Sequence, residues 1–318
     1  MVPRKDVEPR KDLVPRKDLV PGKDTGNSSS GDRRERQVAE IVGAVGVPHT
    51  PHFPGIVQRQ EPLAAELGRL YGTAASHLRS LEADTIIFFT CDHYNIFFVE
   101  SVPIFSIGVA PSACGPSDYP ELQRYEIPIN SAMARQVQQH LVRSGFDVGM
   151  SQEFEFDHPV TVPLHFLTPD MDVPVVPVFI SGLMPPLPPA WRCRALGAAT
   201  GEAIRLSPSA GRVALVASGS FSLEIGGPKI SDHSHTGVPD PHWASRIIAR
   251  MQGAELDALV TEADEDQLTR AGNAAGELLT WIAMLGALGA GRPVFLEAQP
   301  EFGHAFGGWH TSPAGVRV

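Results

Sequence analysis

Short apolar runs alternate along the chain with longer segments in which apolar residues recur every three or four positions. A run of about four to eight β-branched and aromatic residues is typical of a buried strand, and the wider spacing is typical of an amphipathic helix. The runs predict strands at 41–47, 84–90, 173–180 and 212–219. Because the third run contains two prolines, which cannot donate to a ladder, an edge position or a strand end is favoured for it.

Periodic apolar positions predict the helices, which we place at 62–81, 131–144, 192–206, 242–253, 255–261 and 273–288. Leu63, Leu67 and Leu70 illustrate the spacing in the first helix, and Gly145 is a stop signal directly after the second. Strands that alternate with helices are typical of α/β proteins. We therefore predict a single α/β domain with a central mixed β-sheet flanked by helices.

Two segments follow neither pattern. Residues 94–127 are rich in aromatic residues and proline, which suits the wall or lid of a substrate pocket. Phe97, Phe98 and Phe105 are candidates for contacts with an aromatic ring, although buried aromatic side chains more often belong to the general core. Residues 154–164 mix strand-forming residues with proline, which predicts a junction between a strand and a loop.

The first 36 residues form a separate segment. A six-residue unit that begins Pro-Arg-Lys-Asp recurs from Pro3 onward and is followed by a serine-rich stretch. The unit carries charges of both signs and offers almost nothing to bury, so it cannot offset the entropy lost on ordering. We predict a disordered and dispensable extension over 1–36, with a partner-binding tail as the alternative, and a folded domain over 37–318.

Composition limits the possible partners and location. The chain has 318 residues and a formal net charge of −10, and no cluster of Lys or Arg lies in the predicted folded part, which argues against binding of nucleic acid. No apolar stretch reaches the roughly 18 residues that a membrane span needs, and the start lacks the apolar core of a signal peptide. We expect a cytoplasmic protein with no membrane partner. The three cysteines are widely spaced, which fits neither a disulfide framework nor a zinc knuckle.

Two histidines follow predicted strands. His49 comes just after the strand at 41–47, and His93 comes just after the strand at 84–90. Ligands collect at the carboxyl ends of the strands in open α/β sheets, so these two side chains suggest a metal site at that edge. His52 repeats the His-X-Pro pattern of His49, and His49 is favoured because it lies nearer to its strand.

Two histidines and one carboxylate can form a facial triad, which leaves positions on Fe(II) open for a substrate and O₂. Glu277 fits as the carboxylate because it interrupts an otherwise apolar helix, where an unpaired charge is expensive to bury. A solvent-facing Glu near the helix start is an equally good explanation from spacing alone. His158 is a candidate for proton transfer, and a purely structural histidine is the simpler interpretation.

Over roughly residues 40–310 the chain resembles the class III extradiol ring-cleaving dioxygenases, the superfamily of the protocatechuate 4,5-dioxygenase catalytic subunit. The resemblance rests on short motifs in a fixed order, namely His49-Thr50-Pro51, Asp92-His93, Asp157-His158, Pro163-Leu164, Ser218-Gly219-Ser220-Phe221-Ser222, Gly227-Pro228 and Gly276-Glu277-Leu278-Leu279. It implies extradiol cleavage of a catechol-like or aminophenol-like ring by Fe(II) and O₂. It also implies that His49, His93 and Glu277 bind the iron, and that His158 contacts the substrate and assists proton transfer. We expect a homo-oligomer.

One position departs from this family. In relatives the serine that matches Ser222 is followed by a histidine that acts as the base, whereas this chain has Leu223, which cannot accept a proton. Glu224 is the adjacent candidate for a replacement, and His233 or His235 lies in the same loop. Alternatively, the substrate binds already ionised, or the chain has lost ring cleavage.

Two other functions fit the same residues. A zinc hydrolase would use the same three ligands with a metal-bound water. A non-catalytic paralogous subunit would have lost the base, although such a subunit would have no need to keep His49, His93 and Glu277.

Overall fold

The computed structural model describes residues 38–207, 211–230, 235–289 and 291–311, so the predicted extension over 1–36 lies outside the described residues. The strands are β1 Ala39–Val47, β2 Thr85–Thr90, β3 Phe105–Gly108, β4 Ser112–Gly115, β5 Tyr125–Pro128, β6 Val148–Ser151, β7 Val175–Ile180, β8 Gly211–Ser218, β9 Glu224–Ile225, β10 Thr236–Gly237, β11 Phe295–Gln299 and β12 His304–His310. The α-helices are α1 Phe53–Gln58, α2 Ala64–Ser80, α3 Ser131–Arg143, α4 His158–Leu167, α5 Ala190–Arg205, α6 Pro241–Gly253, α7 Leu256–Glu262, α8 Glu265–Ala271 and α9 Leu278–Leu288. A 3-10 turn over Ala275–Glu277 leads directly into α9.

Eight strands form the main sheet in the order β11-β12-β1-β8-β2-β7-β3-β6. The four central strands β1, β8, β2 and β7 are parallel to one another, whereas β12 runs antiparallel to β1 and β3 runs antiparallel to β7. Helices cover both faces, as the parallel centre requires. The predicted α/β fold with a central mixed sheet is confirmed.

The strands are apolar along their whole length because the sheet separates two cores. Val213 and Leu215 of β8 face the core that contains α3, α5, α6 and α9, whereas Ala214 and Val216 face the core that contains α2 and α4. Successive side chains of a strand point to opposite faces, so a strand buried on both sides reads as one continuous apolar run. This is the pattern that made β1, β2 and β8 recognisable in the sequence.

Helices α5 and α9 approach each other closely at glycine. A Cβ atom on Gly197 would lie 1.8 Å from the carbonyl oxygen of Ala283, and one on Gly286 would lie 2.3 Å from that of Arg194. Only a residue without a Cβ atom permits this approach. The contact holds α9, and with it the turn that carries Glu277, firmly against the sheet.

The predicted helices at 62–81, 131–144 and 192–206 are confirmed as α2, α3 and α5, with ends that differ by a few residues. The two predicted helices at 242–253 and 255–261 are confirmed as α6 and α7. The periodic apolar residues of each segment form one face of its helix, and this face is buried against the sheet or a neighbouring helix.

The junction between a strand and a loop predicted at 154–164 is wrong, because residues 158–167 form α4. Asp157 has extended backbone angles in front of the helix, and Pro159 lies within its first turn, where the missing N–H costs nothing. The valines that favoured a strand are buried against the core around α2. Tertiary packing overrides their β propensity.

The edge position favoured for the strand at 173–180 is also wrong, because β7 lies between β2 and β3. The paired residues of β3 run opposite Ile180, Phe179 and Val178 and stop before Pro177. Pro177 therefore has no partner in β3. No carbonyl of β3 lacks a hydrogen bond because of the N–H that Pro177 cannot donate. A short neighbouring strand allows a proline inside the sheet.

None of the described helices is long and apolar enough to cross a membrane. This finding agrees with the hydropathy of the sequence, and the cytoplasmic location stays a prediction.

Candidate active site

Three neighbouring parallel strands end at one edge of the sheet. His49 follows β1 by two residues, His93 follows β2 by three residues, and Ser218 is the last residue of β8, which lies between them. Because the strands are parallel and adjacent, their carboxyl ends meet. The turn over Ala275–Glu277 brings the carboxylate of Glu277 to the same place.

The side chains of His49, His93 and Glu277 converge on one point. Oε1 of Glu277 lies 3.2 Å from Nε2 of His49 and 3.2 Å from Nε2 of His93. Both His49 and Glu277 are buried, with exposed fractions of 4% and 0%. Sγ of Cys91 belongs to the same group, in which every potential ligand atom lies within 4.8 Å of the others. His52 does not belong to this group; it lines the cavity beside it, with its ring 6.1 Å from that of Tyr119.

A chain of hydrogen bonds sets the tautomer of His49. The hydroxyl of Ser218 donates to the carbonyl oxygen of Pro159 at 2.8 Å, so the Ser218 oxygen accepts from Nδ1–H of His49 at 3.1 Å. The Pro159 carbonyl is available because Pro163, four residues further along α4, has no N–H to donate to it. A neutral His49 ring therefore turns an unprotonated Nε2 towards Glu277.

Glu277 is held as an anion. Its Oε2 accepts a hydrogen bond from the backbone N–H of Ser220 at 2.7 Å. Gly219 permits this contact, because its φ of +152° and its packing, with a built Cβ only 2.6 Å from that of Glu277, exclude a side chain. Burial alone would raise the pKa of Glu277, but His49 and His93 hold it well below its usual range.

The loop after β2 is fixed by two buried acids. Oδ2 of Asp157 accepts a hydrogen bond from the backbone N–H of His93 at 2.9 Å. The carboxylate of Asp92 accepts from the backbone N–H groups of residues 95–97. Burial raises the pKa of Asp157 to about 7. Nε2 of His93 is buried and makes no hydrogen bond apart from its 3.2 Å contact with Oε1 of Glu277, which leaves it available to bind a metal ion.

His158 is the first residue of α4 and the third imidazole of the cluster. Its ring centre lies 4.6 Å from that of His93 and 5.5 Å from that of His49. Asp118 holds it twice, accepting from the backbone N–H of His158 at 3.1 Å and from Nδ1–H of the ring. Burial lowers the pKa of His158 to about 3, so the ring is neutral at pH 7, and with its Nδ1–H donating to Asp118 it carries a lone pair on Nε2.

Sequence reasoning did not find Asp118. It lies in the aromatic segment predicted to wall a pocket, and nothing in its spacing links it to His158 forty residues later. Burial alone would raise the pKa of Asp118, but its hydrogen bonds with His158 lower it. The adjacent Asp157, which the sequence places beside His158, instead holds the backbone of His93.

A cavity of about 830 Å³ opens over this cluster. Tyr119 and Asn95 contribute to its wall, as expected for the segment 94–127. The expected ring contacts from Phe97, Phe98 and Phe105 are wrong. Phe97 packs on Phe179, Phe98 is 65% exposed, and Phe105 belongs to a core.

Glu224 does not reach the cavity. Leu223 and Ile225 line it, and Glu224 between them points the other way, where its Oε2 accepts from the backbone N–H of Asn273 at 2.8 Å. Neighbouring residues of an extended segment face opposite sides, which explains the miss. His235 lines the cavity, whereas His233 lies outside the described residues.

His304 is a buried cavity residue to which the sequence analysis assigned no role. Its Nε2 lies 3.0 Å from Oε1 of Gln299, and burial lowers its pKa to about 3. It begins β12, which returns from the end of the chain to pair with β1. His304 reaches the site only because β12 pairs antiparallel with β1. No local sequence pattern predicts this pairing between two segments that lie far apart in the chain.

The fold and most of the chain match known proteins. Residues 43–306 match the family described as "Catalytic LigB subunit of aromatic ring-opening dioxygenase". A "2,3-dihydroxyphenylpropionate/2,3-dihydroxicinnamic acid 1,2-dioxygenase" from Cupriavidus necator is 29% identical over 84% of this chain and 97% of the relative. One of the same name from Klebsiella pneumoniae subsp. pneumoniae is 27% identical over 76% and 88%.

Among solved structures, the uncharacterized protein JW3007 from Escherichia coli K12 superposes with a TM-score of 0.52 at 16% identity, over 85% of this chain and all of that one. At this identity the likeness supports the fold alone. The family match, in contrast, spans the strand-end histidines, the α4 segment and Glu277 together. The chain therefore belongs to the LigB family of catalytic subunits and is an extradiol, aromatic ring-opening dioxygenase.

Proposed function

We propose that His49, His93 and Glu277 bind Fe(II), and that the enzyme uses it to cleave a catechol-like or aminophenol-like ring beside its two heteroatoms. One observation carries the ligand set. Nε2 of His49 and Nε2 of His93 each lie 3.2 Å from Oε1 of the buried Glu277. Two imidazole nitrogens and one carboxylate oxygen gathered at one buried point form a donor set that suits a divalent metal ion.

Fe(II) suits this donor set better than Zn(II). Two imidazoles and one carboxylate are the ligands of non-haem iron oxygenases, and zinc has no redox chemistry to offer to O₂. Bound Fe(II) would hold both substrate oxygens and O₂ and pass electron density between them. Cys91 is not proposed as a ligand, because burial raises the pKa of its thiol well above the usual value and a neutral thiol binds metals weakly.

The protein's own residues supply proton transfer and a shaped pocket. His158, held by Asp118, presents its Nε2 to the space beside the three ligands and is proposed to take the proton of a substrate hydroxyl. Leu223 then contributes an apolar contact to the ring rather than a base. Glu224 is left out of this set because its carboxylate faces Asn273. The hydrolase and non-catalytic alternatives have no support from the family.

The test is an oxygen-uptake assay on protein freed of metal and reloaded without air. Fe(II)-loaded enzyme should consume one O₂ per catechol and form a ring-opened product, whereas Zn(II)-loaded enzyme should not. His158→Gln should keep its iron and lose about 10²-fold or more in kcat. Uptake that is equal with zinc, or unchanged in His158→Gln, would contradict the proposal.

A homo-oligomer in the cytoplasm is proposed as well. Phe98 and Val99 are neighbouring apolar side chains that are 65% and 69% exposed, which suits burial against a second copy. Light scattering of the purified protein decides this: a mass above one chain is expected, and a monomer at micromolar concentration would contradict it.

A further inference from the structure

Acidic side chains line the cavity, without a lysine or arginine beside them in the part of the chain that the structure describes. Among the described residues that line it, Glu66 and Glu301 carry carboxylates beyond the metal cluster and Asp118, and there is neither a lysine nor an arginine. The remaining wall is apolar or neutral, with Leu63, Leu67 and Phe302 on the side of these two acids. A substrate that reaches beyond the metal cluster therefore meets negative charge and apolar surface.

Glu66 is tied to the cavity wall. It lies in the first turn of α2, and its Oε1 accepts a hydrogen bond from Nε2 of Gln299 at 3.0 Å. Gln299 in turn accepts from Nε2–H of His304 at 3.0 Å. This chain of bonds runs from the buried His304 outward to Glu66. It keeps the carboxylate beside the cavity instead of letting it swing into solvent.

The basic residues on the same segments are engaged elsewhere. Arg69, one turn after Glu66 on α2, pairs with Glu297 at 3.4 Å, and Arg59 pairs with Glu61 at 2.7 Å. Lys229 donates to the carbonyl oxygen of Thr269, outside the cavity. None of the three lines the cavity, so within the described part of the chain neither a lysine nor an arginine is available there to neutralise an anionic substrate group, and the only basic side chains of the lining are histidines.

We infer that this active site selects catechols by the charge of the ring substituent, preferring an ammonium group to an uncharged one and discriminating against a carboxylate. The inference rests on the proposed function, since the catechol must first bind at the metal. A carboxylate would lose water without gaining a lysine or arginine partner and would face Glu66 and Glu301. The relatives are named for a substrate that carries a propionate, and we infer a different substituent for this chain.

Three catechols of matched length test the preference. They carry at ring position 3 a 2-aminoethyl, a propyl or a 2-carboxyethyl group, so the part that binds the metal is the same in all. Their dissociation constants are measured by calorimetry on the full-length, Fe(II)-loaded protein without O₂. Each exposed carboxylate should change the ratio of the dissociation constants of the carboxylate and the ammonium by about two- to fivefold, so the two together should make the ammonium bind about four- to 25-fold more tightly.

Matched variants assign the effect to residues. Glu66→Gln and Glu301→Gln should each shrink the ratio of the two dissociation constants by about two- to fivefold, because each removes one charge from the wall. Glu153→Gln removes the same charge from an exposed position that does not line the cavity and should leave the ratio unchanged. Raising the salt concentration to 1 M should also compress the ratio, because both acids are exposed.

The outcomes separate the two proposals. A carboxyethyl catechol that binds as tightly as the propyl one, or a ratio that neither variant changes, would overturn the charge selection and leave ring cleavage intact. Catechols that bind with the expected ranking but cause no O₂ uptake with Fe(II) would overturn the proposed reaction and leave the selection intact. Failure of all three to bind would overturn both.

Discussion

The hydrogen bond between Asp118 and His158 makes a residue-scale prediction. Asp118→Asn keeps the size of the side chain but removes the charge that orients the ring and fixes its Nδ1 proton. We expect kcat to fall by about 10- to 100-fold, while the bound metal stays unchanged because neither residue is a proposed ligand.

Steady-state kinetics and metal analysis of the same preparations check this prediction. The double variant with His158→Gln should be no slower than His158→Gln alone, because Asp118 is expected to act only through that ring. Additive losses, or loss of metal in Asp118→Asn, would give Asp118 another role.

The burial of His165 in α4 predicts how the free energy of unfolding depends on pH. Burial lowers the pKa of His165 below 6.5, and its Nδ1 is hydrogen-bonded to the hydroxyl of Tyr125. The folded state therefore binds the proton less readily than the unfolded state. The stability that His165 contributes is complete above pH 6.5 and is lost as the pH falls below it.

Urea unfolding at pH 7.0 and pH 5.5 measures this effect. The wild type should lose more free energy of unfolding between the two pH values than His165→Gln, which cannot titrate. The other histidines are common to both proteins and cancel in the comparison. An equal loss in both would show that the ring is not desolvated.

At the residue scale the sequence predicts the side chains that lie directly after a strand end. His49 and His93 are recognisable because an apolar run delivers each of them to one edge of the sheet. Asp118 and His304 are not, since they reach the cavity through an aromatic loop and a returning antiparallel strand. Glu224 was misplaced for a simpler reason: adjacent residues of an extended segment face opposite sides, and the cavity side belongs to Leu223.

Helix α4 affects the proposed metal site because Pro163 has no N–H to donate and so leaves the carbonyl of Pro159 free for Ser218. Pro163→Ala restores an N–H that can pair with this carbonyl inside the helix. Ser218 then loses its acceptor and can turn its proton towards His49. We expect the affinity for the metal to fall by about tenfold, as for other changes behind a metal ligand.

Metal competition titrations check this prediction. Pro159→Ala is the control, because a proline in the first turn leaves no carbonyl unpaired and its removal should not change the affinity. Pro163→Ala should add nothing to Ser218→Ala if both act through the same bond. A full additional loss would contradict the link.

At the element scale, propensity and packing disagree where the predictions failed. The segment over α4 reads as a strand because its valines favour one, yet its neighbours bury it as a helix. Strand β7 contains Pro177, which favours an edge strand. The strand lies inside the sheet because the short β3 leaves Pro177 unpaired on its own side. Helices with strong periodicity, such as α2 and α3, were predicted correctly because packing and propensity agree there.

For the whole molecule, the division between the extension over 1–36 and the domain over 37–318 remains a prediction. The repeat offers almost nothing apolar to bury, so we expect the truncated chain 37–318 to keep the melting temperature and kcat/KM of the full chain. Calorimetry and oxygen uptake on both proteins measure this. A truncated chain that melts several degrees lower would show that the repeat contributes to the folded state.

The fold as a whole was predictable because alternating apolar runs and periodic segments specify an α/β sheet with two covered faces. The strand order, with β11 and β12 added antiparallel beside β1, was not, because pairing between distant segments leaves no local pattern. The pairing of β11 and β12 beside β1 also brings Gln299 and His304 to the cavity wall. The part of the site that sequence reasoning missed is therefore the part that long-range topology builds.

The stoichiometry of Fe(II) binding tests the central claim most directly, namely that His49, His93 and Glu277 form one metal site. Equilibrium dialysis without air should give one Fe(II) per chain in the wild type and in Cys91→Ser, and less than about a tenth of that in Glu277→Ala at the same free iron. Circular dichroism should show that Glu277→Ala is folded. Full occupancy in Glu277→Ala, or loss of iron in Cys91→Ser alone, would contradict the proposed ligand set.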